Sequence, residues 1–85
     1  MTSNLLDANI NYYSRCGLPY QEAVENAVGD ILQYIETDVS ILQTCREQWY
    51  NRKATGTLTE DFDRICKDLA ETCKRNISEH KKLLQ

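Results

Sequence analysis

A long hydrophobic repeat constrains the fold of this chain more than any other feature of its sequence. Between residues 24 and 49, one position recurs at alternating spacings of four and three, as on the face of an α-helix that packs against another helix. Its members, apolar with one exception, are Val24, Val28, Ile31, Ile35, Asp38, Leu42, Cys45 and Trp49. Apolar and polar residues do not alternate as in strands, and only three Gly and one Pro are present. The sequence therefore predicts an all-α protein.

Breaks in the pattern divide the chain into three predicted helices within one domain, residues 1–85. Gly17 and Pro19 interrupt the chain after a short apolar segment, and proline suits the first turn of a new helix. Residues 51–56 combine polar side chains with Gly56 and predict a turn. The helices are expected at residues 4–13, 19–50 and 58–84. Gly29 lies inside the second and is a potential kink.

Capping residues support these boundaries. Ser3 can cap the first helix with its hydroxyl group. The spacing Thr57-x-x-Glu60 fits a capping box, in which the two side chains each accept a hydrogen bond from a free backbone N–H group. Thr59 is a rival cap for the same helix.

Charge is distributed unevenly along the chain. The first 49 residues hold seven acidic and two basic side chains, whereas the rest hold six acidic and eight basic ones. Because the turn is short, the two long helices should be antiparallel neighbours. This arrangement brings the following groups together: Glu22, Glu25 and Asp30 with Lys74, Arg75, Lys81 and Lys82, and Arg46, Arg52 and Lys53 with Glu60, Asp61 and Asp63. The pattern thus predicts a long antiparallel hairpin with complementary charges.

The second helix is too apolar for a single neighbour. A two-helix contact buries a narrow stripe, and a wider stripe needs further partners. The first helix is too short to cover all of it. We therefore expect a homodimeric helical bundle, a complex with another protein, or both. The predicted partner-binding residues are Tyr12, Tyr13, Leu32, Tyr34, Val39 and Ile41.

Two polar residues interrupt the contact faces of the long helices. These are Asp38 on the second helix and Asn76 on the third. Buried polar side chains at such positions fix helix register or oligomeric state. Alternatively, each face tilts toward solvent there, and Val39 and Ile77 take over the core.

The four cysteines are expected to be reduced thiols in a cytoplasmic protein, because no export signal or membrane span is found in the sequence. Cys66, Cys73 and His80 extend over about 21 Å of helix, which is too far for one metal ion. Cys45 and Cys66 face each other in the predicted hairpin, so an oxidative cross-link between them remains open.

Besides protein–protein interaction, the sequence suggests two other functions, a metal-dependent enzyme and a nucleic-acid-binding protein. The pairs Glu22-x-x-Glu25 and Glu60-x-x-Asp63 are similar to the magnesium-binding pairs of all-α nucleotide pyrophosphohydrolases. They are predicted at opposite ends of the hairpin, so only an antiparallel dimer could bring them together as metal ligands. The basic third helix suggests nucleic-acid binding, which the net charge of −3 disfavours. The sequence therefore favours a non-enzymatic protein–protein interaction module, without cofactor or metal, acting as a regulator, adaptor or inhibitor.

Overall fold

A computed structural model describes residues 4–85 of the chain, and every regular element within them is an α-helix. The helices are α1 (Leu5–Arg15), α2 (Tyr20–Thr55) and α3 (Glu60–Leu83). The all-α prediction is confirmed.

Helix α1 begins after Asn4, whose side-chain oxygen accepts a hydrogen bond from the backbone N–H of Asp7 at 2.9 Å. The proposed cap Ser3 lies outside the described residues. The helix extends two residues beyond its predicted end, to Arg15. Gly17 then adopts a φ angle of 95°, a left-handed conformation that favours glycine.

Helix α2 begins at Tyr20 and continues without interruption through Gly29. Pro19 precedes it, and its carbonyl oxygen accepts the N–H of Ala23 at 2.9 Å. The helix ends at Thr55, so the prediction of a turn starting at residue 51 is wrong. No residue from 51 to 55 is a helix breaker, and basic side chains in a last turn interact favourably with the helix dipole.

The connection between α2 and α3 is a tight four-residue link. Gly56 has a φ angle of 72°. Its N–H bonds the carbonyl of Lys53, and that of Thr57 bonds the carbonyl of Arg52, which together end the helix in a Schellman motif. The predicted capping box at Thr57 is wrong. Thr59 is the cap, and its hydroxyl oxygen accepts the backbone N–H of Phe62 at 3.1 Å.

The predicted contact face of α2 is turned toward the rest of the molecule. None of its eight residues is exposed, and Ile31 is completely buried. Ala23 and Ala27, which precede Ile31 by two turns and one turn, are completely buried as well. The repeat read from the sequence therefore identifies the side of α2 that packs.

Contacts between α2 and α3 occur in reverse order along the two helices. Near the start of α3, the Asp63 carboxylate accepts a hydrogen bond from the indole of Trp49, near the end of α2. Near the end of α3, the ring of His80 lies 5.8 Å from that of Tyr34, much earlier in α2.

The molecule is elongated and its core is thin. It measures 55 × 23 × 20 Å, with a radius of gyration of 17.5 Å. A compact domain of this length would have a radius of gyration of about 12 Å. Within residues 4–85, no helix is both long and apolar enough to cross a membrane.

Candidate interaction surfaces

The predicted partner-binding residues of α2 lie on two different sides of the helix. Leu32 and Val39, two turns apart, share one side, and Tyr34 and Ile41 share another. Residues two positions apart are about 200° apart around a helix, so these pairs point in nearly opposite directions. Leu32, Tyr34 and Val39 are 49%, 41% and 38% exposed, and Ile41 is half-buried. The apolar stripe expected from the sequence is thus two separate surfaces, one on each side of the contact with α3.

The two predicted tyrosines of α1 differ in their surroundings. Tyr12 is 63% exposed. Tyr13 is half-buried, and its hydroxyl group donates a 2.7 Å hydrogen bond to the Asp30 carboxylate of α2. That bond, together with burial and the negative charge of Asp30, raises the pKa of Tyr13 to about 12. Tyr13 therefore attaches α1 to α2, whereas the ring of Tyr12 meets that of Tyr13 edge to face at 5.3 Å.

A groove on the Leu32 and Val39 side, here called the cationic groove, has a volume of about 230 Å³. Its lining combines apolar and basic side chains from both helices: Leu42, Cys45, Arg46, Trp49, Tyr50, Cys66, Lys67, Ala70 and Lys74. The rings of Trp49 and Tyr50 meet edge to face at 5.1 Å, and Tyr50 is 60% exposed. Trp, Tyr and Arg are the residue types most enriched at the energetic centres of protein interfaces.

Asp63 pairs with one of the three basic side chains that line the cationic groove. Its carboxylate accepts the indole N–H of Trp49 at 2.6 Å and pairs with Lys67 at 2.9 Å. These two contacts, the Trp49 bond first, lower the pKa of Asp63. Among the described residues, Arg46 and Lys74 take part in no ion pair. The groove thus presents two uncompensated cations beside its aromatic side chains.

A second groove, here called the uncharged groove, lies on the Ile41 side and has a volume of about 430 Å³. Its lining, within the part of the chain described, carries no charge: Thr37, Ser40, Ile41, Thr44, Cys45 and Leu69. Leu69 is 39% exposed, and Ile65, one turn earlier on α3, is 57% exposed.

The predicted pairing of charges between α2 and α3 is wrong. In residues 4–85 the ion pairs are Arg64 with Asp61, at 3.0 Å, and Lys67 with Asp63, and both lie within α3. Asp30 bonds Tyr13 instead of a basic residue of α3. The remaining charges are mostly exposed, and water solvates exposed charges well enough that pairing gains little.

The polar residues of the two contact faces, Asp38 and Asn76, are both half-buried. Burial, and then the neighbouring Asp38 carboxylate, raises the pKa of the Cys73 thiol. Val39 does not replace Asp38 in the core, since it is 38% exposed. The register-setting role of Asp38 and Asn76 stays a prediction.

The surroundings of the buried cysteines disfavour the reactivity of their thiols. All four thiols are free, and Cys66 and Cys73 are buried. The Cys66 sulfur lies 4.0 Å from the carbonyl oxygen of Cys45, so the two residues are neighbours as expected. Burial is the largest cause of a raised pKa at Cys66, which disfavours the reactive thiolate.

The carboxylates considered for a magnesium site do not converge within residues 4–85. Glu22 lies in the first turn of α2, whereas Glu60 and Asp63 lie in the first turn of α3, near the opposite end of α2, where Asp63 bonds Trp49. Among residues 4–85, no three side chains of His, Cys, Asp or Glu form a potential metal site. The four basic residues considered for nucleic acid, Lys74, Arg75, Lys81 and Lys82, are all exposed.

Comparison with known families, characterised proteins and solved structures finds no match for this chain. The grooves and their chemistry are therefore the basis for assigning a function.

Proposed function

We propose that this protein is a non-enzymatic interaction module that binds a helix of a partner protein in the cationic groove. The observation that carries the proposal is the open groove between α2 and α3, where Trp49 and Tyr50 lie beside the unpaired Arg46 and Lys74. An amphipathic helix fits such a groove by placing apolar side chains on its floor. Its acidic side chains would meet the cations at the edges.

In this proposal, α2 and α3 form an antiparallel hairpin, and an additional helix completes the hairpin as a helical bundle. The reverse order of the contacts along the two helices supports the hairpin, and exposed apolar side chains on both sides of it support completion by another chain. The partner is a second copy, another protein, or both. A regulator or adaptor of this kind belongs in a reducing compartment, the cytoplasm, where its four free thiols are stable.

A charged peptide pair tests the cationic groove directly. The probe is a labelled peptide of about 20 residues with leucine at helical spacing and glutamate elsewhere, and the control peptide carries lysine in place of glutamate. Fluorescence anisotropy is expected to show binding of the acidic peptide, weakened by added salt, and no binding of the basic one.

Matched variants locate the binding site. The double variant Arg46→Glu, Lys74→Glu should weaken acidic-peptide binding on the order of tenfold or more, because it reverses both free cations of the groove. The double variant Arg75→Glu, Lys82→Glu makes the same change of charge on exposed residues outside the groove and should leave binding within about twofold. Equal binding of both peptides, or equal loss in both variants, contradicts the proposal.

A further inference from the structure

The single chain exposes more surface than a compact monomer of its mass. Its accessible area is 6489 Å² for 9.9 kDa. Folded monomers of that mass expose about 5,200 Å², so the excess is about 1,300 Å². If two chains each buried that excess against one another, the interface would total about 2,600 Å², the size typical of permanent homodimers. The area thus matches what a stable dimer needs.

The symmetry of a homodimer selects which groove such a contact uses. In a two-fold dimer the same patch of each subunit forms the interface, so the side chains of that patch face the side chains of an identical patch. The cationic groove would bring Arg46 and Lys74, which pair with no acidic side chain in the described part of the chain, toward the same two cations of the second copy, and like charges across an interface are repulsive. That groove therefore suits a partner of a different charge.

The uncharged groove meets its own copy without this penalty. Its described lining consists of Thr and Ser hydroxyls and the apolar side chains of Ile41, Cys45 and Leu69. Hydroxyl groups both donate and accept hydrogen bonds, so identical surfaces can satisfy one another. Ile65, 57% exposed one turn from Leu69 on α3, and Tyr34, 41% exposed two turns from Ile41 on α2, extend the same side.

We propose that two copies of this chain associate through the uncharged groove, burying Ile41, Ile65 and Leu69 of each copy against the other. The two grooves share only Cys45 among their described lining residues, and no residue substituted in either test lines both, so either proposal can fail while the other stands. The dimer leaves Trp49, Tyr50 and the free cations of each copy open, and one assembly thus carries two partner-binding grooves.

Sedimentation velocity of the full chain at several concentrations tests this proposal. The expected result is a species of twice 9.9 kDa that persists on dilution to micromolar concentrations. The variants Ile65→Glu and Leu69→Glu should raise the dissociation constant on the order of 30-fold or more, because each places a charge against its own copy in a desolvated contact. Both side chains are partly exposed, so the separated chains should keep their helical circular dichroism.

The control variants carry the same change on the opposite side of α2. Leu32→Glu and Val39→Glu should sediment as dimers, since these residues face away from the uncharged groove. A second test adds charge without removing an apolar side chain: Thr37→Lys together with Thr44→Lys should also separate the copies. A monomeric wild-type chain, or control variants that dissociate as readily as the groove variants, overturns the proposal. A groove that serves a different protein gives the first of these results.

Discussion

The indole N–H of Trp49 donates a 2.6 Å hydrogen bond to the carboxylate of Asp63, joining the last turns of α2 to the first turn of α3. The same carboxylate holds Lys67 through its other oxygen at 2.9 Å. One acid therefore links the two helices beside the turn, orients the largest aromatic side chain of the cationic groove, and neutralises one of the three cations that line the groove.

This relationship predicts an acid-sensitive fold. The contacts lower the pKa of Asp63 from 3.8 in the folded chain, so the folded state binds its proton less readily than the unfolded state does. The stabilisation is present above 3.8 and is lost as the pH falls through the lower folded-state value. Urea unfolding followed by the fluorescence of the single Trp should show a fall in unfolding free energy in this window.

The Asp63→Asn variant should be less stable than wild type at neutral pH and should show a shallower loss below pH 3.8, because the ionisable partner is gone. Asp61→Asn is the matched control, since its side chain is 81% exposed and pairs with Arg64 within the same helix. An acid response that is identical in both variants would show that Asp63 is not its source.

The Tyr13 hydroxyl group should ionise late. The hydrogen bond to Asp30 raises the pKa of Tyr13 from 10.0 to about 12, so a near-ultraviolet titration should show one of the five tyrosines ionising well after 10.0. Because the folded-state pKa is the higher one, the contact stabilises the fold fully below 10.0 and is lost as the pH rises through about 12. Asp30→Asn should bring the transition back toward 10.0; an unchanged titration curve would refute the assignment.

Two glycine substitutions should have opposite effects on stability. Gly29→Ala should raise the free energy of unfolding by about 0.5–1 kcal/mol, because alanine favours the helix and nothing lies within 4 Å of the added Cβ. Gly56→Ala should lower it by about 1 kcal/mol, because alanine is strained at a φ of 72° even though space is available. Denaturant midpoints at one fixed protein concentration measure both. Effects of the same sign would contradict the argument.

Alanine substitutions at two neighbouring residues of α2, one buried and one exposed, should change the free energy of unfolding by different amounts. Ile31→Ala should lower the free energy of unfolding by about 3 kcal/mol, because Ile31 is completely buried and its truncation leaves a cavity. Leu32→Ala, one position later and 49% exposed, should cost less than about 1 kcal/mol. Equal costs would mean that another surface covers Leu32, and they would redirect the search for a partner to that side.

The local backbone conformation could be predicted from the sequence where one residue type determines it. Gly56 adopts a left-handed backbone conformation and ends α2, as expected for a glycine that follows a polar segment. The start of α3 was predicted wrongly, because Thr57 and Glu60 have the spacing of a capping box and Thr59 was only the rival cap. Only the geometry of the turn places the Thr59 hydroxyl against the N–H of Phe62, while that of Thr57 lies 2.9 Å from the Thr55 hydroxyl.

Charge pairing could not be read from the sequence, for a physical reason. Folding the chain back brings acids and bases to the same level of the molecule, but it does not decide which side of each helix they occupy. Long exposed side chains gain little from pairing in water, so partly buried acids take polar partners that are already positioned. Asp30 meets Tyr13, and Asp63 meets Trp49 and Lys67.

The repeat from Val24 to Trp49 by itself determined that this chain is helical and which side of α2 packs, because a period near 3.6 fixes the buried face of a helix wherever its neighbours lie. Apolar residues of α2 outside this repeat, such as Leu32 and Val39, led us to expect more apolar surface than one neighbour can cover. The tertiary structure alone decided how that surplus is arranged. Helix α3 contacts α2 between a cationic groove and an uncharged groove, and we propose different partners for the two because their lining charges differ.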